Sequence, residues 1–210
     1  MFKGEMGWGG AGVPRPPQPD SLVAQGHGGL SGPDSLVTQG RGGVGRSLLI
    51  YGYGNPGRQD DGVGVVLVEQ IEAWAKVEGI TGLVFDTNYQ LNAEDALAVA
   101  EAAAVVFVDA IYYGCSPFEF KRLKPHSEIS FSTHAMAPES ILALAEELYG
   151  RCPPAWLMGI CGQEWEPNGP LSAPARANLA AAGAWFKDWI RAYPAAQKAE
   201  IQSGHTKKDK

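Results

Sequence analysis

Two adjacent acids, Asp60 and Asp61, follow a glycine-rich stretch. A third acid, Asp109, ends the apolar run Val105-Val106-Phe107-Val108, and His134 stands a few residues before Pro138. Two carboxylates and one imidazole drawn from separate loops make an oxygen and nitrogen site for a borderline divalent ion, nickel or zinc among them. Each residue also has a plainer reading. Asp60 or Asp61 could cap a helix that begins near Gly62 or Val63, but one cap needs only one acid, and the other then faces a cleft. Asp109 is either solvated at a strand tip, paired or metal-bound, because a buried carboxylate without a partner is costly. His126 and His205 have loop or tail contexts and no companions.

Other chemistries fit less well. Gly52-Tyr53-Gly54-Asn55-Pro56-Gly57 matches a dinucleotide-binding pattern, yet Asp60 and Asp61 then put two carboxylates where phosphates would sit, which is unfavourable without a metal ion. A nucleotide-binding α/β protein is therefore a minor alternative. Cys115 with His134 and Asp109 is the runner-up, a thiol nucleophile triad. Ser130 and Ser132 lack a GxSxG elbow, and no HExxH helix is present.

The elements that must position these residues alternate. Leu48 to Tyr51 reads as a buried strand, followed after a loop by a helix with an apolar stripe through Val63, Val66, Leu67, Ile71 and Trp74. Leu83 to Phe85 reads as a strand, Ala93 to Ala103 as a helix, Val105 to Val108 as a central strand, and Phe118 to Leu123 as an edge strand. A helix starts at Pro138 with Ile141, Leu144, Ala145 and Leu148 on one face, and Trp156 to Ile160 is the last strand. The last helix starts near Ser172 and Pro174 and is expected to end before Pro194. The pattern predicts an α/β three-layer sandwich, with a twisted, mostly parallel sheet of about five strands between helices. Ligands of such sheets sit at the carboxyl ends of the strands, so the loops 52–64 and 109–114 carry the interest.

With 210 residues, 45% of them hydrophobic, the chain can form one domain with a substantial core. Residues 1–46 hold 13 of the 27 glycines and 5 of the 15 prolines, and the segment Pro19 to Gly29 recurs almost unchanged from Pro33 to Gly43. That stretch is expected to be a disordered leader, with the domain at 47–192 and a polar tail at 193–210. A net charge of -6 argues against nucleic acid or an anionic membrane surface as partner. The apolar stretch from Leu97 to Tyr113 is broken by Glu101 and Asp109, so no membrane span is expected. Cys115, Cys152 and Cys161 form no CxxC pair and no even set, which suggests a reducing, cytoplasmic setting with at least two of them as small buried thiols.

The run Leu49-Ile50-Tyr51-Gly52-Tyr53-Gly54-Asn55-Pro56-Gly57-Arg58-Gln59-Asp60-Asp61-Gly62-Val63-Gly64 resembles the opening signature of the [NiFe]-hydrogenase maturation endopeptidases. Val106-Phe107-Val108-Asp109-Ala110 is similar to the family's second acidic motif, and Ser132-Thr133-His134 to its histidine motif. The resemblance covers residues 47–192. It implies a peptidase, a hydrolase that removes the C-terminal extension of a hydrogenase large-subunit precursor after nickel insertion. It further implies that Asp61, Asp109 and His134 recognise nickel supplied by the precursor, without a tightly bound organic cofactor. One departure is Asp86-Thr87-Asn88-Tyr89-Gln90-Leu91, where many members carry Asp-Gly-Gly-Thr; it resembles a variant branch with a Gln-Leu motif. The remaining alternative is a non-enzymatic nickel-binding hydrogenase chaperone.

Overall fold

The computed structural model describes residues 47–112, 117–125, 131–132 and 135–205, with the backbone alone for 131, 132, 135 and 194–205. The leader expected at 1–46 lies outside the described residues.

The order of elements is β1 (Leu48–Tyr53), α1 (Val63–Glu78), β2 (Leu83–Asn88), α2 (Asp95–Glu101), β3 (Ala104–Ile111), β4 (Phe118–Leu123), β5 (Phe131–Ser132), β6 (Ala135–Met136), α3 (Pro138–Tyr149), β7 (Ala155–Cys161) and α4 (Ala173–His205). Five strands form one sheet in the order β2-β1-β3-β7-β4, and β5 pairs with β6 as a separate short hairpin. Every pairing in the large sheet is parallel except that of the edge strand β4 with β7. The expected α/β sheet between helices is what the chain forms.

Both sheet faces are covered, which is why β1, β3 and β7 read as continuous apolar runs. Leu48, Ile50, Val106, Val108 and Met158 pack against α1 and α4, while Leu49, Tyr51, Val105, Phe107 and Leu157 pack against α2 and α3. The stripe on α1 is Val63, Leu67, Val68, Ile71 and Ala75, all buried. Phe120 of β4 meets Trp156, Trp185, Phe186 and Trp189 at centroid distances of 4.8 to 6.5 Å. These aromatic residues are core, and they seat α4 on the antiparallel edge.

Two expectations are corrected. The last helix does not stop before Pro194 but runs to His205. The run Ala195-Ala196-Gln197-Lys198-Ala199-Glu200 is made of strong helix formers, which outweighs one lost hydrogen bond at the proline. Leu148 is not part of the packed face of α3: burial ends at Ala145, and Leu148, nearly one turn on, is 59% exposed.

Candidate functional site

The carboxyl ends of β1 and β3 lie side by side, with Gly52 paired to Val108. One step further in the same register brings Tyr53 level with Asp109. The α1 helix starts immediately above them, and this placement depends on glycine. A Cβ on Gly64 would stand 2.5 Å from the Val108 carbonyl oxygen and 2.6 Å from that of Tyr53. Gly54 has φ +126, and a Cβ there would run into the Asp61 carbonyl. The glycines of the first loop thus serve close backbone packing, which accounts for the pattern without a phosphate.

Asp61 and Asp109 come together here. Asp61 accepts a hydrogen bond at Oδ2 from the Asn55 N–H at 3.1 Å, and its charge acts on Asp109. Asp109 is half-buried, accepts the Ala110 N–H at Oδ1 at 2.7 Å and is hydrogen-bonded to Tyr53. Burial pushes the Asp109 carboxyl up to about 7; the hydrogen bonds from Tyr53 and Ala110 oppose that rise and the neighbouring Asp61 adds to it. The Tyr53 hydroxyl is in turn held well above its ordinary value, first by burial and then by the Asp109 charge.

That raised value has a measurable consequence. The Asp109 carboxyl loses its proton less readily in the fold than in the unfolded chain, where it ionises at about 4. Its contribution to stability is therefore present below about pH 4 and is lost as pH rises through about 7. In urea titrations, the wild-type chain loses unfolding free energy relative to Asp109→Asn between about pH 4.5 and about pH 7.5. A difference that stays constant over that range contradicts a hard-to-ionise Asp109.

Asp60 has a different fate from its neighbour. It is fully buried. It receives the N–H groups of Gln163 and Glu164 at Oδ2 (2.8 and 2.9 Å), the Ser172 N–H at Oδ1 (2.7 Å) and the Ser172 hydroxyl at Oδ2 (2.7 Å). Burial alone would raise its carboxyl, yet these four donors hold it below the ordinary value. The capping role expected for one of the two acids is not taken by either, since neither the 3-10 turn Gln59–Gly62 nor α1 has a side-chain cap. The inward turn gives Asp60 better donors, on a loop more than 100 residues away in sequence.

The loop after β7 completes the rim. Tyr112, 56% exposed, stacks on Trp165 with ring centroids 4.6 Å apart and planes at 11°. On the other side, the loop after β2 reaches the β5–β6 hairpin, as the Leu91 carbonyl accepts the Met136 N–H at 3.3 Å and the Leu91 side chain is buried. Leu91 of the Gln-Leu segment noted in the sequence is thus tied to β6 of the hairpin. His134 itself lies outside the described residues, as does Cys115. Among the described residues, no group of three or more His, Cys, Asp or Glu side chains stands at metal-holding spacing.

The cysteines differ from expectation. Cys161 is buried but disulfide-bonded rather than an unpaired thiol, while Cys152 is free and exposed. Spacing along a chain does not report which sulfurs a sheet brings together. Among the described residues, no helix is long and apolar enough to cross a membrane.

Two residues of the site were not singled out by the sequence reading for their roles here. Tyr53 could have been found from the alternation Leu49, Tyr51, Tyr53 set beside Val105, Phe107, Asp109. Ser172 is also the helix start that its position before Pro174 suggests, its hydroxyl accepting the Ala175 N–H at 3.1 Å.

No family model and no curated protein matches the chain. Solved structures are similar to it. The [NiFe] hydrogenase maturation protease HycI from Thermococcus kodakarensis KOD1 is 22% identical over 70% of this chain and 93% of its own, with a TM-score of 0.54. The hydrogenase maturating endopeptidase HybD from E. coli is 20% identical over 69% of this chain and 92% of its own, with a TM-score of 0.52. This chain has the fold those two proteases share.

Proposed function

We propose that this chain, built on the fold of the hydrogenase maturation proteases, is an endopeptidase that removes the C-terminal extension of a [NiFe]-hydrogenase large-subunit precursor after nickel insertion. The observation that carries this reading is the meeting of Asp61 and Asp109 at the carboxyl ends of β1 and β3, where a doubly wound sheet receives its ligand. In this reading, Asp61, Asp109 and His134 contact the nickel that the precursor brings, and the adjoining peptide lies along the strand ends. Oxygen and nitrogen donors without a thiolate suit a temporary contact with an ion that belongs to the partner. Nickel then acts as a checkpoint: the tail is cut only when the centre is filled.

The test is mass spectrometry of a large-subunit precursor incubated with the purified chain, once nickel-loaded and once metal-free. The nickel-loaded form is expected to lose its C-terminal extension and the metal-free form to keep it. Equal shortening of both removes the checkpoint. Binding of the nickel-loaded form without any mass change makes the chain a chaperone and not a peptidase.

A further inference from the structure

We propose that Asp60 is a positioning residue of this site: by tying the loop after β7 to the turn between β1 and α1, its carboxylate sets where Asp61 points. The proposal rests on the reading of Asp61 as a functional residue given above.

A fully buried carboxylate is a poor choice for stability alone, because well-packed apolar side chains often serve as well or better. What such a group supplies is direction. Four donors converge on its two oxygens, and all four belong to the segment Gln163 to Ser172. The backbone reinforces them: the Asp60 N–H donates to the Glu164 carbonyl at 3.1 Å, and the Asn168 N–H to the Gly57 carbonyl at 2.8 Å.

The residue before Asp60 shows how the turn is forced. Gln59 has φ 45, a left-handed conformation that non-glycine residues rarely adopt. It is held there by both polar atoms of its side-chain amide: Nε2 donates to Glu164 Oε2 at 3.0 Å, and Oε1 accepts the Glu166 N–H at 2.8 Å. With Asp60 drawn inward, Asp61 follows in a 3-10 turn, its N–H donating to the Arg58 carbonyl at 3.1 Å. Its carboxylate is then delivered to the Asn55 N–H, on the side where Asp109 stands. Adjacent acids so fill separate roles, one as anchor and one as working group.

The Asn55 amide gives a direct readout, since it donates to Asp61 Oδ2. The experiment compares the 15N-labelled full-length wild type with Ser172→Ala, which removes one of the four donors without changing charge, and with Asp60→Asn, which sets an amide NH2 against backbone N–H groups. Asp61→Ala supplies the unbonded reference. In Ser172→Ala, the Asn55 resonance is expected to move toward that reference, with hydrogen exchange about tenfold faster, the worth of one weakened hydrogen bond. Processing of nickel-loaded precursor is expected to show kcat lower by about tenfold at unchanged KM in Ser172→Ala, and by about a hundredfold in Asp60→Asn.

A merely structural Asp60 lowers the melting temperature but leaves the Asn55 amide and the kcat of folded protein at wild-type values, and that result overturns the proposal. If Asp60→Asn does not fold, Ser172→Ala decides alone. If the wild type shortens no precursor, the proposed peptidase activity fails, while the Asn55 amide still decides whether Asp60 and Ser172 aim Asp61.

Discussion

Asp61→Asn is expected to lower processing of nickel-loaded precursor by more than about 100-fold, since an ion contact contributes several kcal/mol. Its melting temperature is expected to stay within about 2 °C of the wild type. The contrast comes from where the charge sits. Asp61 is half-buried, and its side chain accepts the Asn55 N–H, which an asparagine oxygen still accepts. The fold loses little, whereas on the proposed reading the ion carried by the precursor loses an anionic ligand. Asp60→Ala is expected to lose stability as well as processing, because it removes the acceptor of the Gln163 and Glu164 N–H groups and leaves the buried Ser172 N–H unpaired. That costs about 3 kcal/mol or more. Thermal melts together with precursor mass spectra separate the two. Retained processing in Asp61→Asn would falsify its assignment to the nickel contact.

Gly64→Ala is expected to destabilise the domain by about 3 kcal/mol or more, a fall in melting temperature of about 6 to 12 °C. The added methyl meets backbone on two sides, the carbonyls of Val108 and Tyr53, and neither can swing aside as a flexible side chain would. To admit it, α1 must lift from the ends of β1 and β3, which also parts Asp61 from Asp109. Urea denaturation measures the first effect, and precursor processing by the remaining folded protein measures the second. A loss below about 1 kcal/mol would mean that the helix is not wedged between the strands. Gly79 differs in mechanism: a Cβ there meets nothing within 4 Å, and only its left-handed φ of +67 at the helix end disfavours a side chain.

Much of this architecture was legible in the order of residues because it depends on local periodicity. The runs Leu48 to Tyr51, Val105 to Val108 and Trp156 to Ile160 are apolar at every position, as strands covered on both faces must be, and they became β1, β3 and β7. Asp109, as the first charge after such a run, had to lie toward a strand end, and Asp61 had to lie in the loop before α1. What periodicity does not carry is the direction of a side chain in a loop or its distant partners. Whether Asp60 or Asp61 faces the cleft was settled by donors 103 to 112 residues away. The pairing of Tyr53 with Asp109 arose from the register of β1 on β3. The disulfide state of Cys161 and the passage of α4 through Pro194 likewise became clear only in the folded chain. Local pattern selects elements because each residue's burial repeats with the turn or the pleat; the site was decided by long-range hydrogen bonds and backbone contacts that exist only once those elements have packed.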